Sequence, residues 1–356
     1  MLYINGRFLT HPMTGVERYA YMVCKTLATL GHNFTIISPK AAIRPCYDVS
    51  NLPIVYYGHG HSHIWEQLVL PFFFVGKRDY LLLSLTGLGS IFVRHKVMTI
   101  HDLSFLENPR WFSKAYYWYY RLMTPLAVRT SQSIITVSEF SKQEIMRFYP
   151  FVSKEKIHVV YNGVDTQQFR HLDESPTPAE HFALAVSSLD PRKNFARLIE
   201  AFNDINDCKL YIVGCTGRVF AQQTSGSSPS NNNILYLGRI SDEELLQLYN
   251  QAICFIFPSI YEGFGLPPIE AMACGCPVLV SDIPVCREVC AGAALYFNPY
   301  DTQSIQDCVN HFLDLDKKEK EGLLALAHNN VRRFSWEASA KIILALLRNI
   351  NPMLAL

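Results

Sequence analysis

The stretch Ile260-Tyr-Glu-Gly-Phe-Gly-Leu-Pro-Pro-Ile-Glu270 decides how this chain is read. It follows a short apolar run, Cys254–Phe257, with the dimensions of a buried strand. Two glycines come next, and then Pro267 and Pro268, which suit the first turn of a helix. Glu270 therefore falls about one turn inside that helix and Glu262 in the loop before it. Two carboxylates at this spacing can accept hydrogen bonds from hydroxyls at two points along one extended polar ligand. An acid favouring the helix dipole accounts for one glutamate. It does not account for the glycines, whose missing side chains let a ligand approach the amides of Gly263, Phe264, Gly265 and Leu266.

Short apolar strands and helix-length amphipathic stretches alternate on both sides of this stretch. Met1–Asn5, Asn33–Ser38, Lys96–Ile100 and Ser133–Val137 read as strands in the first half, with helices over 16–30, 113–130 and 139–148. The second half repeats the alternation, with strands Phe182–Ser187, Lys209–Val213, Ile234–Leu237, Cys254–Phe257 and Pro277–Val280. Helices fall at 194–203, 242–250 and 267–273, and 302–350 reads as helical throughout. This alternation predicts an α/β chain with two parallel sheets, each covered by helices. The polar segment from Thr166 to Glu180, with two prolines, reads as the linker and predicts units 1–172 and 173–334. The stretch 335–356 forms a separate C-terminal helix, with Ser335 as its cap. Gln222 to Asn233 reads as a surface loop.

With 49% hydrophobic and 18% charged residues, the 356-residue chain is neither disordered nor low in complexity. Its net charge of +1 gives no global argument for nucleic acid. The charge is uneven, however. Residues 1–172 carry 18 basic and 10 acidic side chains, a net of +8, and residues 173–356 carry 14 and 21, a net of −7. The ten cysteines form no C-x-x-C pair, and neither a signal peptide nor an apolar run of spanning length is evident, so a reduced cytoplasmic setting is expected.

Other segments carry chemistry. Asp190-Pro-Arg-Lys-Asn194 sets two adjacent cations, Arg192 and Lys193, after a strand, where α/β proteins bind anions. A planar fork beside a point charge suits a diphosphate. Thr14 and Glu17 have capping-box spacing around Gly15, at a helix start that can receive a phosphate. His101-Asp102 ends a strand and can reach a ligand beyond it. His59-Gly-His-Ser-His63 alternates like a metal site, but no acidic or cysteine ligand follows at typical spacing, and it reads as a polar loop.

Taken in order, eight segments resemble retaining glycosyltransferases of family 4, which have the GT-B fold. They are Thr14-Gly-Val-Glu-Arg-Tyr19, Ile100-His-Asp102, Val137-Ser-Glu-Phe-Ser-Lys142, Tyr161-Asn-Gly-Val-Asp165, Pro191-Arg-Lys-Asn194, Leu237-Gly-Arg-Ile240, the Glu262–Glu270 pair, and Ala294-Leu-Tyr-Phe-Asn-Pro299. Trp65-Glu-Gln-Leu-Val-Leu-Pro71 is similar to a branch of bacterial O-antigen and capsule enzymes, which includes mannosyltransferases. The resemblance implies two Rossmann-like domains facing each other across a cleft, the first binding acceptor and the second nucleotide-sugar, with the last helix crossing back to the first.

It also implies roles. Gly15 would lie against the donor phosphate, and Arg192 and Lys193 would neutralise the leaving diphosphate. Glu262, with the amides of Phe264 to Leu266, would hold donor-sugar hydroxyls, and Glu270 the ribose. Backbone at Gly238, Arg239 and Ile240 would contact the base, and His101 would face the donor sugar. One departure is that the first glycine loop has a single glycine where many members have two. The implied enzyme is a metal-independent, retaining hexosyltransferase without cofactor, using a GDP- or UDP-linked sugar, with GDP-mannose favoured. Its implied acceptor is a glycan or a polyprenyl-diphosphate-linked saccharide. A GT-B epimerase, a sugar phosphorylase and a non-catalytic GT-B module are the competing readings. The basic first half, with five successive aromatics in Phe112-Ser-Lys-Ala-Tyr-Tyr-Trp-Tyr-Tyr-Arg121 and with Phe72-Phe-Phe74, predicts peripheral contact with the inner face of the cytoplasmic membrane.

Overall fold

The computed structural model describes residues 1–173, 180–186, 190–214 and 233–354. The chain divides into two compact units. Unit 1 comprises Met1–Gly163 with Ser335–Leu356, and unit 2 comprises Val164–Phe334.

The first crossing thus lies nine residues ahead of the boundary at 172/173 expected from the polar linker. Residues 164–172 belong to unit 2 by their packing. Phe169 is buried edge-on to Tyr249, the Leu172 amide donates to Asn250 Oδ1 at 2.8 Å, and Asn250 Nδ2 donates to the Arg170 carbonyl at 3.0 Å. The expected loop at Gln222–Asn233 lies outside the described residues except for Asn233, as do Cys215 and Ser187.

In unit 1, strands β1 (Leu2–Asn5), β2 (Thr35–Ser38), β3 (Ile54–Tyr56), β4 (Leu81–Ser84), β5 (Lys96–Ile100), β6 (Ser133–Thr136) and β7 (Ile157–Val159) form one sheet. Their order is β3-β2-β1-β4-β5-β6-β7, with every pair parallel. Most of these strands are buried on both faces and read as runs of Leu, Ile and Val, as parallel strands between helix layers require. In unit 2, β8 (Phe182–Val186), β9 (Lys209–Val213), β10 (Ile234–Gly238), β11 (Cys254–Phe257), β12 (Val278–Ser281) and β13 (Leu295–Phe297) form a second parallel sheet, ordered β10-β9-β8-β11-β12-β13. Its core joins Ala183, Leu198, Phe202, Leu210, Ile256, Leu279 and Phe297.

In each sheet the strand order reverses once, between β1 and β4 in unit 1 and between β8 and β11 in unit 2. Connections leave a switch point in opposite directions, which opens a crevice beyond the carboxyl ends of the two strands.

The helix Trp336–Ile350 is grouped with unit 1. Ser335 Oγ accepts from the Ala338 amide, and Ser339 Oγ donates to the Tyr161 carbonyl at 2.6 Å. A Cβ on Gly163 would stand 2.3 Å from the Trp336 amide nitrogen, so the glycine of Tyr161-Asn-Gly-Val-Asp165 is required where the returning helix crosses. The 302–350 region is three helices, Thr302–Asp314, Lys317–Val331 and Trp336–Ile350. No disulfide joins the described cysteines, and all of them except Cys46 are buried.

Candidate functional site: the switch point of unit 2

The two segments singled out first meet at the switch point of unit 2. Asp190 follows β8 and caps the short turn Pro191–Lys193. Its Oδ1 accepts from the Arg192 amide at 3.1 Å, and its Oδ2 accepts from Arg192 Nε at 2.6 Å. The Asp-Pro pair starts this turn because the carboxylate substitutes for a backbone acceptor two residues on. One aspartate thus fixes both the turn and the guanidinium. Asn194 takes the left-handed conformation (φ 58°) and donates from Nδ2 to the Pro299 carbonyl at 2.7 Å.

The glycine-rich loop arrives from β11. The Ile260 amide donates to the Arg192 carbonyl at 2.8 Å, which ties the two loops together. Lys193 Nζ lies 2.5 Å from Glu262 Oε1, and Arg192 Nη1 lies 3.6 Å from Glu262 Oε2. These side chains are well shielded, at 18% exposed for each cation and 9% for the carboxylate. Arg192 and Lys193 are therefore not on a solvated turn, and low exposure strengthens their interaction with any charge brought between them. Phe264 is buried with its ring edge-on to Phe334. Gly265 has φ 96°, which favours glycine, and it starts the helix Leu266–Ala273. Glu270 is buried within that helix. Glu262, Gly263, Phe264, Gly265, Leu266 and Glu270 thus follow β11 within one loop and the helix it opens, and Glu262 meets Arg192 and Lys193.

Gly238 ends β10 with φ 69° beside a bulge, and its carbonyl accepts from the Gly214 amide. Arg239 is exposed and Ile240 half-buried, immediately ahead of the helix Asp242–Gln251, whose Ser241–Glu244 capping box is fully formed. All these residues leave the sheet at its carboxyl edge.

Two expected residues lie in unit 1. Gly15 is the first residue of the helix Gly15–Thr29, and a Cβ there would meet nothing within 4 Å, so the fold itself does not require glycine. The capping box expected around it does not form. The Thr14 hydroxyl donates to the Glu17 carboxylate, and its side chain caps no amide, because two adjacent polar side chains satisfy each other at an exposed helix end. His101 follows β5, with Nε2 2.8 Å from the Leu85 carbonyl and its ring edge-on to Tyr19. A carbonyl only accepts, so Nε2 carries the hydrogen. Burial holds the His101 pKa below its ordinary value, although the Leu85 carbonyl, Asp102 and Glu17 oppose this. Asp102 accepts from the Ser104 amide and hydroxyl at the start of the next helix, and the His101 Nε2 hydrogen is directed to the Leu85 carbonyl.

Among the described residues, no group of three or more His, Cys, Asp or Glu side chains is arranged to hold a metal ion. No described helix is long and apolar enough to cross a membrane.

Residues 13–168 match the family model of glycosyltransferase family 4, and residues 168–322 match that of glycosyl transferases group 1. The O-antigen chain mannosyltransferase RfbU of Salmonella typhimurium is 33% identical over 294 residues, spanning 82% of this chain and 78% of the relative. The O-antigen chain mannosyltransferase B of Escherichia coli is 30% identical over 262 residues, spanning 68% and 67%. The sucrose-phosphate synthase of Thermosynechococcus elongatus shares the fold at a TM-score of 0.77 and 20% identity, covering 98% of both chains. This chain belongs to the glycosyltransferase family 4 group of GT-B enzymes, and its reaction class is glycosyl transfer.

Proposed function

We propose that this glycosyltransferase moves mannose, with retention of anomeric configuration, from GDP-mannose to a glycan or polyprenyl-diphosphate-linked acceptor in bacterial surface-polysaccharide synthesis. The observation carrying this reading is the shielded Arg192–Lys193–Glu262 cluster at the switch point of unit 2. The mannosyl donor and O-antigen setting are supported by the names of the relatives, RfbU above all.

Breaking the anomeric C–O bond leaves an oxocarbenium-like sugar and a diphosphate with additional negative charge. Arg192 is pre-positioned by Asp190, and Lys193 by Glu262. Fixed cations directed at the departing diphosphate stabilise the transition state more than the ground state. When a donor binds, its phosphate competes with Glu262 for Lys193, and the released carboxylate is free to accept from sugar hydroxyls. The amides of Phe264 to Leu266 complete that sugar contact, and Glu270 accepts from the ribose. Because these cations supply the charge, the reading needs neither metal nor cofactor. The leaving phosphate assists deprotonation of an acceptor attacking on the same face, so Glu262 is assigned no nucleophilic role. The roles of Gly15 and His101 rest on the family's pattern.

Membrane association on the cytoplasmic side is part of the same proposal. The helix Lys114–Thr130 exposes Trp118, Leu122 and Leu126, and the helical segment 62–73 with its following turn exposes Ile64, Leu68, Phe72 and Val75. Lys77, Arg78, Lys114, Arg121 and Arg129 lie in or beside these segments. Of the expected Phe72–Phe74 run only Phe72 is exposed, because Phe73 and Phe74 pack edge-on to Tyr3.

A donor panel scored by nucleotide release, with and without lipid-linked saccharide, tests the reading. GDP-mannose should turn over fastest and depend on acceptor. Preference for a UDP-sugar would replace the donor, and epimerised donor without transfer would replace the reaction.

A further inference from the structure

The switch point of unit 1 holds a second built cluster. Asn5 ends β1, Ser84 ends β4, and Arg7 and Thr86 follow them. Arg7 Nη2 donates to the Thr86 carbonyl at 3.1 Å, bridging the two strand ends. Beneath it lies Glu66, 1% exposed, whose Oε1 accepts from Asn5 Nδ2 at 2.6 Å and stands 3.5 Å from Arg7 Nε. Arg7 Nε is itself buried without a hydrogen bond. Burial alone would raise the Glu66 pKa, but Arg7, His63 and Asn5 outweigh it and hold the group below its ordinary value as a carboxylate.

Glu66 Oε2 lies 3.2 Å from His63 Nδ1, and His63 Nε2 lies 3.1 Å from the Tyr120 hydroxyl. A carboxylate only accepts, so His63 Nδ1 carries the hydrogen. In the neutral ring Nε2 then accepts from Tyr120, and the phenol oxygen retains lone pairs for an incoming hydroxyl. His63 is 25% exposed and Tyr120 half-buried, so the relay runs from a dry floor to an accessible rim. Tyr120 also stacks on Tyr116 at 4.3 Å, and Tyr116 on Phe112 at 4.9 Å, a ladder that leads away from the cluster past the start of the helix Lys114–Thr130.

The backbone here is costly. Trp65–Val69 is a π-helical turn, and Ser62 has φ 49°. Such features concentrate at functional sites, because surrounding structure must hold them in place. They turn Trp65, Glu66 and Gln67 inward together. The sequence motif His59–His63, read as a polar loop, thus ends in a helix with its last histidine held by a buried carboxylate.

The groups at the rim decide the ligand. Arg7 is buried and paired with Glu66, so the cation is held in the floor of this crevice rather than at its rim. Its rim offers an imidazole, a phenol and an aromatic ladder, which suit the hydroxyls and the C–H face of an uncharged sugar ring. We infer that the Glu66–His63–Tyr120 relay at the switch point of unit 1 binds an uncharged pyranose ring of the acceptor, with His63 and Tyr120 touching it and Glu66 and Arg7 as positioning residues. The inference rests on the acceptor being a saccharide, as proposed above.

The test uses the full chain in two arms. In the first, acceptor kinetics are measured for Tyr120→Phe and His63→Ala. Each should raise the acceptor KM about tenfold with a smaller change in kcat, and the affinity for GDP, read by calorimetry, should stay within twofold. Tyr120→Phe keeps the ring packing, so it reports on the hydroxyl even where a Glu66→Gln protein fails to fold. In the second arm, saturation-transfer NMR follows methyl α-mannopyranoside binding to wild type and to His63→Ala, with inorganic phosphate as competitor. Binding that is lost in the variant and indifferent to phosphate supports the site. An unchanged acceptor KM in both variants, or mannoside binding displaced by phosphate, overturns it. Absence of turnover with every donor would instead remove the functional reading, and the binding arm would still decide the site.

Discussion

Replacing Lys193 by alanine separates the two roles that its geometry gives it. Lys193 Nζ is 2.5 Å from Glu262, and the pair is largely shielded from water. Exposed ion pairs contribute about 0–1 kcal/mol, and breaking a fully buried one costs about 3–5 kcal/mol. This pair lies between those limits, and Arg192 Nη1 remains 3.6 Å from the orphaned carboxylate. Lys193→Ala should therefore lose about 1–2 kcal/mol of stability, read at roughly 2–4 °C of Tm per kcal/mol for a unit of this size. Adding Glu262→Gln removes the stranded charge and should recover most of that loss. Turnover should behave differently. Removing one fixed cation from the leaving diphosphate should lower kcat on the order of 10²-fold, and the second substitution should lower it further. Calorimetric melting and continuous nucleotide-release assays on the three proteins make the comparison. Turnover near wild type in Lys193→Ala, or recovery of turnover in the double variant, would refute the diphosphate role.

Glu270→Ala should weaken GDP binding by calorimetry with a modest effect on the chemical step, whereas Glu262→Ala should lower both; equal loss of GDP affinity in the two would collapse the distinction between ribose and sugar contacts. Gly163→Ala forces a Cβ to 2.3 Å from the Trp336 nitrogen and should destabilise the chain by about 1–3 kcal/mol; an unchanged melting curve would show that the returning helix can shift. Lys96 is buried, donating to the Val93 carbonyl and to Thr130 Oγ1, and burial together with Lys156 pushes its pKa down to about 7. Between pH 7 and about 10 the unfolded chain binds the proton and the folded chain does not, so stability should rise with pH there, by on the order of 1 kcal/mol per unit at most, and Lys96→Met should flatten that rise. Co-sedimentation with anionic vesicles should occur at low salt, decline at high salt, and fall when Lys114 and Arg121 become glutamate; binding indifferent to both would remove the basic helix as the contact.

The unit 2 site was legible in sequence because each of its parts is a contiguous motif at a strand end. Asp190–Asn194 and Ile260–Glu270 carry their turn, helix start and charges within a few residues, and the parallel sheet brings them together. The unit 1 cluster was not legible. Its members at 5, 7, 63, 66, 86 and 120 come from separate segments, and only the switch between β1 and β4 gathers them. The segment 62–73 also escaped reading as a helix, because its π-helical turn breaks the 3.6-residue period and Pro71 interrupts it. Strands β3, β7 and β13, three residues each, are too short to show a pattern. Of the aromatic run 116–120, Tyr116 and Trp118 are exposed, and Tyr117, Tyr119 and Tyr120 pack against the unit 1 core.

The most direct test of the central claim follows the sugar itself. GDP-mannose labelled with carbon-13 at the anomeric position is incubated with the full chain and a lipid-linked saccharide, and the anomeric signals are followed by NMR as GDP appears. The account predicts a new α-linked mannosyl signal growing in step with GDP, and both signals slowed on the order of 10²-fold in the Arg192→Ala and Lys193→Ala proteins. Free mannose in place of a glycoside, a β-linked product, or unchanged rates in those variants would contradict it.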